Sequence, residues 1–211
     1  MILPGKQIYI GNINTSEKEI KDLLKAWLAI SIAFGIFMNR FSSLKSLGLS
    51  FYEVFIIASI TVGTGFLLHE LGHKFVAQRY GCFAEFRSFD KMLILVIIMA
   101  LFFPILFAAP GAVMIMGRVD IRKNGIISAA GPVVNLVLAL FFLSILFMFP
   151  TGLLKAIAVY GFYINLLLAF FNMLPFGIFD GAKVLKWDKK VYGIIVAISL
   201  LFLFMQNFIS M

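Results

Sequence analysis

Two apolar runs, Gly125 to Phe149 and Gly152 to Leu174, lie almost back to back and share one charged residue, Lys155. Each is long enough to cross a hydrocarbon core about 30 Å thick, which takes roughly 20 apolar residues as a helix. Of the 211 residues, 62% are hydrophobic and 13% charged, against about a quarter charged in soluble domains. Too little polar surface remains to cover a globule. Disorder, a nucleic-acid module and a secreted disulfide scaffold are excluded. The chain reads as an all-α polytopic membrane protein, one membrane-embedded domain over 1–211.

The net charge of +8 does not point to nucleic acid, because the cations sit singly or in pairs between apolar runs. That spread suits topology and lipid headgroups. A single cysteine, Cys82, excludes an intramolecular disulfide and a Cys-based metal cage. No cleavable signal peptide is expected, since Lys18, Lys21 and Lys25 interrupt the first 25 residues.

Gly5 to Gly11 alternates enough for a short strand. Ser16 with Glu19 three residues on predicts a capping box opening a helix that ends at Asn39-Arg40. A second helix is expected from Phe51 to about Tyr80, with Gly63 and Gly65 on a close-packing face. The last apolar run is Val191 to about Phe208. The segment Met92 to Met116 is apolar but broken by Pro104 and Pro110-Gly111. If it crosses once, giving six spans, the 18 Lys and Arg divide nine against nine. If it re-enters, or forms a hairpin, they divide fifteen against three, with Arg40, Lys45 and Lys155 alone on the poorer side. Positive-inside bias selects five full spans, a re-entrant 92–116, and a cytoplasmic cation-rich side. Non-helical backbone at that depth then needs protein or a watery cavity around it.

Near the cytoplasmic end of the second span stands His69-Glu70-Leu71-Gly72-His73. Histidines at i and i+4 share a helical face and can reach one ion, with the intervening Glu close enough to take a proton from water there. The chain has only two histidines, and chance would place them so, around a Glu, with odds of roughly two in ten thousand. Zinc suits this set, and a catalytic zinc takes three protein ligands. No third histidine exists. Most other acids lie among lysines or at span ends, where a solvated charge is the default reading. Asp180 differs, lying in an apolar stretch with no cation between Lys155 and Lys183. The re-entrant topology places it on the membrane face of His69 and His73; six spans would strand it opposite. Asn135 and Asn165 read as interhelical hydrogen-bonding residues.

His69-Glu70-x-x-His73, then Gly131-Pro132-x-x-Asn135, then Asn172-x-x-Pro175 with Asp180-Gly181, resembles the site-2 proteases, intramembrane zinc metalloproteases. The resemblance covers a catalytic core of about 60–185. It implies that His69, His73 and Asp180 bind one zinc ion, that Glu70 is general base and acid, and that Asn172 helps hold substrate or oxyanion. Many members carry a second Pro shortly before the Asp, where this chain has Ile178. The length leaves no room for the PDZ or CBS domains many members carry.

The expected activity is hydrolysis of peptide bonds in or near transmembrane segments of protein substrates, at a multi-pass cell-membrane protein with its site near the cytoplasmic side. A homo-oligomer is compatible with this. Gly111 to Gly117 is a candidate strand for pairing with an extended substrate, which a proline at Val113 should disrupt. The rivals are another membrane zinc hydrolase, such as a prenyl-protein endopeptidase, and a non-catalytic scaffold or transporter with a vestigial metal site.

Overall fold

In the computed structural model, residues 7–10, 13–41, 49–104, 106 and 110–209 are described. The remainder of the expected Gly5–Gly11 strand lies outside them. The chain is mostly helical, in the order β1 (Gln7–Ile10), β2 (Ile13–Ser16), α1 (Glu17–Phe41), α2 (Phe51–Ala58), α3 (Thr64–Arg79), β3 (Phe83–Ser88), α4 (Asp90–Phe102), β4 (Gly111–Met116), α5 (Ile121–Met148), α6 (Gly152–Asn172), α7 (Asp180–Trp187) and α8 (Lys189–Ile209).

Three helices among the described residues are long and apolar enough to cross a membrane: the continuous stretch Phe51–Arg79, and α5 and α6. Within the first, a π-helical turn at Ser59–Gly63 joins α2 to α3. Such a wide turn disturbs the i to i−4 ladder. The Ser59 carbonyl is taken by Trp27 Nε1 at 3.2 Å and Thr64 Oγ1 at 3.1 Å. A Cβ at Gly63 would lie 2.6 Å from Ser31 Oγ, and one at Gly65 would lie 2.6 Å from Asn165 Oδ1. Both glycines therefore bring backbone against a neighbouring helix, as the sequence predicts. The main core joins Ile57, Val62, Leu136, Phe142, Phe162 and Leu166, from α2, the π turn, α5 and α6.

Two antiparallel strand pairs accompany the helices, β1 with β2 and β3 with β4. The second runs from Phe83 opposite Met116 to Ser88 opposite Gly111. Just beyond it Phe89 N donates to Pro110 O at 2.9 Å. The excursion that carries α4 thus leaves and returns at one place, and α4 lies against α1.

The capping box is half as expected. Ser16 Oγ accepts from Glu19 N at 3.1 Å, but the Glu19 carboxylate turns away from the cap to a long-range partner, Lys74 Nζ, at 2.5 Å. Glu19 is 0% exposed and Lys74 2%. Glu85 and Arg87 form a second buried pair on β3. The solvated reading of these acids is corrected: each is next to a cation in space, and pairing offsets the cost of burial.

Candidate metal centre

The imidazoles of His69 and His73 leave one face of α3 toward α5 and the start of α7. Their Nε2 atoms are 3.0 Å apart. Asp180, the first residue of α7, brings Oδ2 to 3.4 Å from His69 Nε2 and 3.1 Å from His73 Nε2. Asp180 arrives there because Gly181 lets α7 start directly against the Met173 backbone at the end of α6. All three side chains are buried.

The other ring nitrogens fix what the Nε2 atoms offer. His69 Nδ1 is 2.5 Å from Asn135 Oδ1, and His73 Nδ1 is 2.8 Å from the Ile127 carbonyl. Both partners are acceptors, since the Asn135 amide nitrogen donates to Gly65 O at 3.2 Å and Asn165 Oδ1 at 2.9 Å. Each Nδ1 must therefore carry a proton, and each neutral ring turns a lone pair inward at Nε2. Two lone pairs and Asp180 Oδ2 converge, while Lys183 Nζ reaches the other carboxylate oxygen, Oδ1, at 3.4 Å. That arrangement calls for a cation.

The spacing fits one. With zinc–nitrogen bonds of about 2.0 Å, neighbouring ligands of a tetrahedron lie about 3.3 Å apart, and the three separations here run from 3.0 to 3.4 Å. Gly131 keeps the space open, because a Cβ there would come within 2.5 Å of both Nε2 atoms. Pro132 next to it cannot donate to the Ser128 carbonyl one turn back in α5; the carbonyl that meets His73 is that of the neighbouring Ile127.

His69, Glu70 and His73 form a group able to hold a metal ion, with ligand atoms all within 4.8 Å. Glu70, largely buried, projects toward the sheet, where its Oε2 accepts from Val113 N at 3.1 Å. Of the predicted site residues, the structure brings His69, Glu70, His73 and Asp180 together. Asn172 stands at the end of α6, with its amide nitrogen donating to Leu168 O at 2.9 Å. The Val113 N–H, on the candidate template strand, is engaged by Glu70, so a proline there would disturb the carboxylate as well as the strand edge.

Sequence reasoning placed Asn135 between helices, as it is, but missed that it orients His69. It missed the Ile127 carbonyl altogether. The Gly131-Pro132-x-x-Asn135 spacing was the available signal: one turn of α5 supplies an opening and an acceptor.

No family model matches the chain. No solved structure matches it either. A protein of Methanocaldococcus jannaschii, provisionally named a zinc metalloprotease, is 45% identical over 182 residues, which cover 85% of this chain and 90% of that one. A second protein of the same organism, named a zinc metalloprotease, is 26% identical over 170 residues, covering 79% of this chain but 44% of the relative. Convergence on a five-residue motif would not produce identity spread across nearly the whole of the first relative, and the chain belongs to the zinc metalloprotease family.

Proposed function

We propose that the chain is an intramembrane zinc protease of the site-2 type, hydrolysing peptide bonds in or near the transmembrane segments of membrane proteins. The observation that carries this reading is the place of the metal-binding group. His69, Glu70 and His73 lie within Phe51–Arg79, a helix long and apolar enough to cross a membrane. An ionisable cluster there is costly unless it is paired or serves a site, and His69 and His73 converge with Asp180 as ligands do.

In this reading His69, His73 and Asp180 hold one zinc ion. When bound, zinc supplies acidification of a water and polarisation of the scissile carbonyl. Glu70 accepts the proton of the attacking water and delivers it to the leaving amine. Asn135 and the Ile127 carbonyl keep both imidazoles in the tautomer that presents Nε2. Asn172, at the turn leading to Asp180, helps hold the substrate or its developing oxyanion.

The topology that goes with it has five full spans, a re-entrant 92–116 and the site near a cytoplasmic, cation-rich face. The hydrogen bond between Phe89 and Pro110 supports this, because it joins the two ends of the excursion. A substrate helix must unwind before its carbonyls can be reached, and an unwound strand can add to a sheet edge. The outer edge of β4 is the candidate, and Ile115→Pro tests it more cleanly than Val113→Pro, since Val113 N is held by Glu70.

The test is cleavage of a panel of tagged single-span membrane proteins by purified wild type and Glu70→Gln. Loss of a general base should lower turnover by about 10² to 10⁴ with zinc content unchanged. Equal cleavage by the two proteins would contradict the role of Glu70.

A further inference from the structure

Glu70, Lys74 and Gln78 are four apart and share one face of α3. That face crosses under the β3–β4 sheet and fastens both of its edges. At the outer edge of β4, Val113 N donates to Glu70 Oε2. At the outer edge of β3, Phe86 N donates to Glu19 Oε1 at 2.8 Å, the Phe86 carbonyl accepts from Arg87 at 3.0 Å, and the Ala84 carbonyl accepts from Gln78 Nε2 at 3.0 Å. Phe86 and Val113 are register partners whose amides both point outward, the non-hydrogen-bonded pair of an antiparallel ladder. Glu19 Oε2 in turn receives Lys74 Nζ at 2.5 Å and Thr15 Oγ1 at 2.7 Å. The rise from Glu70 to Lys74 is about 6 Å, little more than the strand spacing of about 4.8 Å. One edge held by the base and the other by Lys74 through Glu19 leaves the sheet a single position on α3.

We propose that Glu19, from the first turn of α1, is a positioning residue for the catalytic base. By holding the Phe86 amide it fixes β3 across α3, and the ladder to β4 carries that position to the Val113 amide, which orients Glu70. This rests on the proposed role of Glu70. The important property of Glu19 is then its acceptor for Phe86 N, more than its charge. Side chains also occupy the β3 edge at Ala84 and Phe86, so a strand adding to this sheet is directed to β4, beside Glu70.

Two neutral double variants separate acceptor from charge. Glu19→Gln/Lys74→Met loses the ion pair but keeps an oxygen for Phe86 N; Glu19→Leu/Lys74→Met loses both. With a tagged single-span protein that wild type cleaves, the Leu variant should lose about tenfold or more in kcat, with KM and zinc content unchanged, and the Gln variant should stay within about threefold of wild type. Equal kcat in the two would overturn the proposal. Should the Leu variant fail to fold, the single substitutions decide: Glu19→Gln keeps the reach to Phe86, and Glu19→Asp keeps the charge on a shorter arm. The Gln variant must be the more active, and the opposite order overturns the proposal. If wild type cleaves nothing in the panel, the protease reading fails instead. Amide exchange over 111–116 then tests the positioning: faster in the Leu than in the Gln variant supports it, and equal rates overturn it.

Discussion

Helix α3 carries two polar faces, and they treat buried charge in opposite ways. On the face toward α5 and α7, His69 and His73 aim their Nε2 atoms at Asp180, and the outer ring nitrogens are already satisfied by Asn135 and the Ile127 carbonyl. On the face toward the sheet, Lys74 meets Glu19, and Glu19 also serves Thr15 and Phe86. The second face is closed: a cation and an anion neutralise each other with hydrogen bonds to spare. The first turns the two Nε2 atoms and Asp180 Oδ2 to one point that holds no donor, since the cation beside it, Lys183, meets the other oxygen, Asp180 Oδ1, at 3.4 Å. Burial of charge thus does not mark the ligand site; convergence of acceptors without a donor does. Glu70 stands where the faces meet, near the imidazoles but held by the sheet.

The comparison breaks most visibly if the open face is not a metal site. His69→Ala and His73→Ala should each reduce zinc from about one per chain to near none, with cleavage lost. Gly131→Ala should do the same without touching a ligand, because the methyl fills the space between the Nε2 atoms. Elemental analysis of folded protein reads all three. Zinc retained in Gly131→Ala would mean that the ion lies elsewhere.

A smaller effect sharpens the closed face. Lys74→Met alone leaves the Glu19 charge buried and unpaired and should cost about 3–5 kcal/mol, whereas Glu19→Gln/Lys74→Met, which keeps an acceptor for Phe86 N, should recover most of that loss. Denaturation in mild detergent measures it. A double variant no more stable than the single would show that the pair is itself needed for folding. Next comes Asn135→Leu, which removes the acceptor that fixes the His69 tautomer. A loss of about 10- to 100-fold in zinc affinity or activity is expected, measured by competition with a chelator. The smallest effect belongs to Lys25→Ala: its pair with Asp90 is exposed, and exposed pairs contribute little, so zinc content and midpoint should not change.

The open face was largely legible in the sequence. The i, i+4 spacing of His69 and His73 is a property of a helix, and Asp180 was set apart by the cation-free stretch between Lys155 and Lys183, although Lys183 itself comes to 3.4 Å from Asp180 Oδ1. The long helices were legible too, because an apolar run near span length has few other structures open to it. What escaped were pairings far along the chain. The Ser16-to-Glu19 spacing announces a cap, but not that Glu19 reaches Lys74, 55 residues away. Strand β3 was missed because Glu85 and Arg87 make Phe83–Ser88 look like a solvated connector; their charges neutralise each other on the same strand. Asn135 looked like interhelical glue because local sequence does not say which helix supplies its partner.

The central claim is that His69, His73 and Asp180 form one zinc site, with Asp180 brought from α7 to the histidine-bearing face of α3. Zinc per chain, measured by elemental analysis in purified wild type and in Asp180→Ala, tests it most directly. The account predicts about one ion in the wild type and loss of most of it in the variant. Wild type without zinc, or a variant that keeps its full complement, would contradict it.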